Sequence, residues 1–100
     1  MTRRVEVRLA DAFFEELEAQ LDLERGPAGE PSVTDFLVID LPAIVERFAS
    51  GFDTLPEAIR GVSSVRMFIG TATLVPAFVV HGVEVGDGIV ELVGIELQVR

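Results

Sequence analysis

The chain opens on a clean alternation. In "RRVEVRL", Val5, Val7 and Leu9 take one face and Arg4, Glu6 and Arg8 the other, which predicts a half-buried strand over 3–9. Asp11 stands where a helix N-cap belongs. Behind it, "AFFEELEAQLDL" places Phe13, Leu17 and Leu21 at helical spacing, with glutamates between them. Glu15 and Glu16 suit the positive end of the helix dipole, so the pattern predicts a helix over 12–23. Glycines and prolines then break all periodicity in "ERGPAGEPS", an exposed loop. In "VTDFLVIDLPAIVERFASGF", Leu37, Leu41, Ile44, Val45 and Phe48 fit one helix face, interrupted by Pro42. Asp40 can cap a new helix that carries the proline in its first turn, and Gly51 can end it. The expectation is a helical turn near 33–39 and a helix near 41–50, with a strand over Phe36–Ile39 as the alternative. "DTLPEAIRG" reads as a loop with a short helical turn.

Three apolar runs follow, Val65–Ile69, Thr73–Val80 and Ile89–Val99, rich in Val, Ile and Phe. The first two read as a hairpin turning at Gly70 to Ala72. The segment "HGVEVGDG" divides the second from the third, and Asp87-Gly88 is a good turn dipeptide. In the last run, Glu91, Val93, Ile95 and Leu97 share one face and Val90, Leu92, Gly94 and Glu96 the other. Neither face is strongly polar, which predicts a central strand or one covered on both sides. Segregated helices followed by an antiparallel meander indicate an α+β fold. The expected architecture is a single domain over 1–100, with a four-stranded, mainly antiparallel sheet and two helices packed on one face.

Composition adds bounds. At 100 residues and 49% hydrophobic, the chain can build one real core. It has no cysteine, so neither disulfides nor thiolate chemistry arise. No signal-peptide core follows "MTRRVEVRL", and the longest uncharged run, Met67 to Val80, is shorter than the roughly 20 residues of a membrane span. A soluble, cytoplasmic protein without a membrane partner is expected. The net charge of −9, with arginine as the sole basic residue type, repels phosphate backbones. Nucleic acid is therefore an unlikely partner except through the ribosome, and a protein partner suits the surface better. Arg3, Arg4 and Arg8 form the one basic cluster.

Two residues stand out in "SVRMFIGTATLVPAFVVHG". His81 is the sole histidine and a candidate general base; the plainer reading is a strand-end histidine leading into a glycine turn. Arg66 can meet a phosphate or a partner carboxylate, or pair with an acid of its own chain. The two fall near the same end of neighbouring predicted strands. Arg4 and Arg8 are candidate binding residues on a strand face that otherwise reads as solvated. Phe14 cannot fully share the face of Phe13 and is a candidate partner contact. No ligand set with metal spacing, no nucleophile elbow, no P-loop and no dinucleotide fingerprint is present, so no metal or cofactor is expected. Asp35 and Asp40 read as caps.

The order strand, two helices, three strands resembles the RelE/ParE superfamily of bacterial type II toxins. "VEVRLADAFFEELEAQL" resembles the opening strand and first helix of that family, "SVRMFIGTATLVPAFVV" its second and third strands, and "DGIVELVGIEL" its closing strand. The resemblance implies a toxin-like protein with an antitoxin-like or other protein partner. It also marks departures. Arg66 matches the basic residue of the second strand, but Leu74 and Val75 stand in the region of the third-strand arginine. There is no tyrosine, and "IELQVR" offers only Arg100. The resemblance therefore implies action mainly through protein binding, without an intact nuclease site. Two alternatives stay open: a ribosome-dependent endoribonuclease with a reduced set of Arg66, His81 and Arg100, and a self-associating domain, a homodimer, pairing through an exposed sheet edge.

Overall fold

The computed structural model describes residues 3–98. Its elements, in chain order, are β1 (Glu6–Leu9), α1 (Asp11–Gln20), α2 (Val33–Ile39), α3 (Leu41–Gly51), a single 3-10 turn (Phe52–Thr54), β2 (Glu57–Ile59), β3 (Val62–Gly70), β4 (Ala77–Gly86) and β5 (Ile89–Gln98). The strands form one sheet in the order β1-β5-β4-β3-β2. β1 runs parallel to β5, and the other neighbours are antiparallel. The α+β class is as the pattern predicts. The sheet, however, has five strands and is mixed, and three helices cover it rather than two.

The added strand is β2. "EAI" is too short and too polar to stand out as a strand. It pairs because Arg60-Gly61, with Gly61 at φ 86°, turns the chain tightly back onto Val62. The predicted helical turn before it is present at Phe52–Thr54. The α2–α3 region is helical, as expected, and the strand alternative for Phe36–Ile39 is not adopted. Ser32 caps α2 through a reciprocal box: its hydroxyl accepts from the Asp35 N–H at 3.1 Å, and the Asp35 carboxylate accepts from the Ser32 N–H at 3.0 Å. Pro42 lies in the first turn of α3, where its missing N–H costs nothing. Asp40 is not a side-chain cap. Its buried carboxylate instead accepts the backbone N–H groups of Thr73 and Leu74, each at 2.9 Å.

The largest departure is in β4. "HGVEV" does not turn; it continues the strand, so that His81 sits mid-strand between Met67 and Gly94. The turn falls at Asp87-Gly88, as its dipeptide predicts, with Gly88 at φ 74°. Gly82 has a packing reason rather than a turning one. A Cβ there would stand 2.6 Å from Cε1 of Phe48, so only glycine lets α3 approach the sheet. A second surprise is a bulge in β5. Gly82 pairs with Leu92 and His81 with Gly94, which leaves Val93 without an opposite residue. The alternation shifts by one there. Val90, Leu92, Ile95 and Leu97 all face the core, and the two-faced pattern predicted for this strand dissolves.

One core results, between the helices and one face of the sheet. Phe13 and Leu17 of α1, Phe36 of α2, and Ile44 and Phe48 of α3 meet Phe78, Val80, Val90, Leu92 and Ile95. Phe48, Phe68 and Phe78 follow one another edge to face, at centroid spacings of 6.3 and 5.2 Å. At the β1 edge, the four-residue strand covers only the first half of β5. Side chains of α1 take over beyond it. Glu16 accepts the Ile95 N–H at 2.7 Å, Gln20 accepts the Leu97 N–H at 2.6 Å, and Gln20 donates to the Ile95 carbonyl at 2.7 Å. The helix thereby occupies an edge that a longer strand would leave open.

Candidate functional site

The register separates the two sequence candidates. Arg66 pairs with Gly82 and shares the helix-covered face with Phe68, whereas His81 pairs with Met67 and points to the opposite face. They are close along the strands but do not converge. Arg66 is also occupied. Its guanidinium donates to the Leu55 carbonyl at 2.7 Å, to the Asp53 carbonyl at 3.4 Å and to the Ser63 carbonyl at 2.8 Å. It lies 5.9 Å from the centroid of the Phe52 ring. It acts as a clip that ties the 3-10 turn to β3.

Arg3, Arg4, Arg8 and Arg25 are each held in an ion pair. Arg3 bridges Asp53 and Glu84 with four hydrogen bonds of 2.7–3.0 Å. Arg4 lies before β1 and makes a bidentate pair with Glu46 of α3, both contacts at 2.8 Å. Arg8 donates to Glu6 on the same face of β1. Phe14 is half-buried, edge-on to Phe13 with centroids 6.0 Å apart, and it packs outside the main core cluster. Arg100 lies outside the described residues.

These ion pairs hold several carboxyls below their usual range. Hydrogen bonds from Arg25 and from the Ser32 N–H lower Asp35 strongly. Arg4 lowers Glu46, and Arg3 lowers both Asp53 and Glu84, the latter with help from the Gly88 N–H. Since these folded-state values lie below the roughly 4 of an unfolded carboxyl, the pairs stabilise the fold above that pH. That contribution is lost as pH falls through the folded values. Urea midpoints measured between neutral and strongly acidic pH should therefore stay level and then drop below about pH 4. Arg3→Gln should shrink the drop; an unchanged profile would show that the Arg3 bridges are not linked to stability.

His81 makes no side-chain hydrogen bond among the described residues, and no group of three or more His, Cys, Asp or Glu side chains there could hold a metal ion. A cleft of ≈ 620 Å³ lies at the far end of α1, lined by Gln20, Asp22, Glu30 and the 72–76 loop. Its polar groups are the side chains of Gln20, Asp22, Glu30 and Thr73, with no arginine or histidine among the lining residues.

What the register does assemble is a surface. Val65 pairs with Val83, Met67 with His81 and Ile69 with Val79, all on the face opposite the buried Phe78 and Val80. Every helix places its buried side chains on the other face, and none of these six is fully buried; Ile69 is 59% exposed. On one flank, Arg8 and Glu91 stand in register, with Glu6 beside Ile89. This open apolar face is the feature that strand-by-strand reading missed. Its signal was present in "SVRMFI" and "AFVVHGVEV", whose apolar residues fall at both parities, while the helices that precede them are too few to cover two faces of a sheet.

Comparison with family models, curated proteins and solved structures finds no match to this chain. No helix among the described residues is long and apolar enough to cross a membrane.

Proposed function

We propose that the chain acts by binding another protein through the open face of its sheet, as a toxin-like protein without a nuclease centre. The observation that carries this reading is the continuous apolar face of β3 and β4 with no helix upon it. Such a surface at the centre of a sheet is a contact surface in water, since exposed patches of this kind mark interaction sites. The toxin-like part rests on the order of strand, helices and strands, a likeness of architecture that does not by itself carry an activity. The arginine and histidine that a nuclease would need point to opposite faces, and the arginine is engaged by backbone carbonyls. Phosphate binding is further opposed by the net charge of −9.

The test is induction of the chain alone in a bacterial host, with growth and messenger RNA followed together. Growth should stop while messenger RNA stays intact, and Val79→Lys, which places a charge on the open face, should restore growth. Normal growth on induction would remove the toxin-like reading. Site-specific messenger cleavage that His81→Ala abolishes would favour the nuclease alternative instead.

A further inference from the structure

We infer that the open sheet face is closed in solution by a second copy of this chain, forming a face-to-face homodimer; this rests on reading that face as a protein contact surface. The argument begins with area. The five strands, spaced about 4.8 Å apart with a rise of about 3.3 Å per residue, present over their combined length a face of about 570 Å². A specific interface clears about 1,000 Å² in all, and two such faces together supply about 1,100 Å². The face thus has the size of a small specific interface.

Charge decides the kind of occupant. Down the middle run Val65, Met67, Ile69, Val79, His81 and Val83, with no carboxylate or arginine among them. The flanking charges are Glu6, Arg8, Glu91 and Glu96, with the Glu16 carboxylate beside Gly94, and Arg8 lies between Glu6 and Glu91, donating to the first and standing in register with the second. Most of the net charge of −9 therefore lies away from this face. A strongly basic or acidic partner finds no matching field in its centre, while a flat, valine-rich, nearly neutral face fits another such face. Two twisted sheets stack in this way at about 30°, with side chains interdigitating. The charged helix sides then point outward, away from each other.

The sheet edges are poorer candidates. β1 is four residues long and is continued by α1 side chains, and β2 is three residues long. Pairing through the face, rather than through an edge, is what this geometry favours. Any other protein that uses the face must compete with the second copy.

Sedimentation over a micromolar concentration series tests the inference. The wild-type protein should show twice its 10.9 kDa mass. High salt should tighten the pair, because it screens repulsion between two acidic copies. Val79→Lys and Val83→Lys should each raise the dissociation constant at least ~100-fold and sediment at single-chain mass with unchanged circular dichroism. Val38→Lys, on the exposed side of α2, should remain dimeric. Should the lysine variants fail to fold, the cysteine-free chain accepts nitroxide labels at Val79→Cys and Val38→Cys; dipolar broadening at the first site only supports the pair. A single-chain mass throughout the wild-type series, a dimer that survives both lysine variants, or no broadening at Val79→Cys would overturn it. A monomeric wild type would overturn the pairing alone, since the growth experiment probes the face without requiring a second copy.

Discussion

Phe48→Ala is expected to cost about 3–5 kcal/mol of stability, which for a domain of this size lowers Tm by roughly 15–30 °C. Phe48 is fully buried on α3 and sits over the sheet. Its ring meets Phe68 edge to face at 6.3 Å and lies 6.5 Å from Phe52. Opposite it is Gly82, which has no side chain to move into the space left behind. Collapse of the cavity is therefore limited on the sheet side, and the cost should fall at the upper end for a large-to-small change. Urea and thermal unfolding followed by circular dichroism read it directly. A loss under ~1.5 kcal/mol would mean that the neighbouring phenylalanines fill the gap. The complementary change, Gly82→Ala, should cost about 1–3 kcal/mol by overpacking against the same ring. The double variant Phe48→Ala/Gly82→Ala should lose less than the two losses added, because the new methyl enters the vacated space.

Asp40→Ala has the next largest expected effect, about 2–4 kcal/mol. This carboxylate is buried between α2 and α3, and each of its oxygens accepts one backbone N–H, from Thr73 and from Leu74. It fastens the helix pair to the β3–β4 loop, 33 residues onward in the chain. Alanine removes two charge-assisted hydrogen bonds and leaves two backbone donors to find water in a half-buried loop. Asp40→Asn retains one good acceptor and should lose about half as much. Amide exchange supplies a local readout: the Thr73 and Leu74 amides should exchange faster in Asp40→Ala while those of β5 remain protected. Unchanged exchange at these two amides would show that the loop is held by its other contacts.

Local chemistry was legible where a single element satisfies itself. The alternation before Leu9, the spacing of Phe13 and Leu17, the proline in the first turn of α3 and the Asp87-Gly88 turn all act within a few residues, and each element formed. The boundaries that failed depend on distant partners. Ala10 rather than Asp11 occupies the N-cap position of α1, without a side-chain cap, and the helix ends at Gln20, where Leu21 turns to an extended conformation. Gly82 looked like a turn residue because a glycine in a strand gives no hint of the Phe48 ring pressed against it from a helix far back in the chain. The bulge at Val93 was invisible for a related reason: either parity of a strand with apolar residues on both faces can face a core, and only pairing with β4 selects one.

The candidate site followed the same division. Residue types marked Arg66 and His81, but a strand's two faces differ by a single step in register. Pairing places Arg66 on the helix side, clipped to the 53–55 backbone, and His81 in the middle of the open face. The sequence by itself determined the α+β class, the places of most helices and turns, the acidic surface and the lack of a recognisable catalytic set, because each follows from local periodicity or composition. Only the tertiary structure decided the parallel return of β1 beside β5, the fifth strand, the partners of each arginine and which apolar residues were left outside. Those depend on which strands pair, in what register and beneath which helices, and long-range packing alone supplies that information.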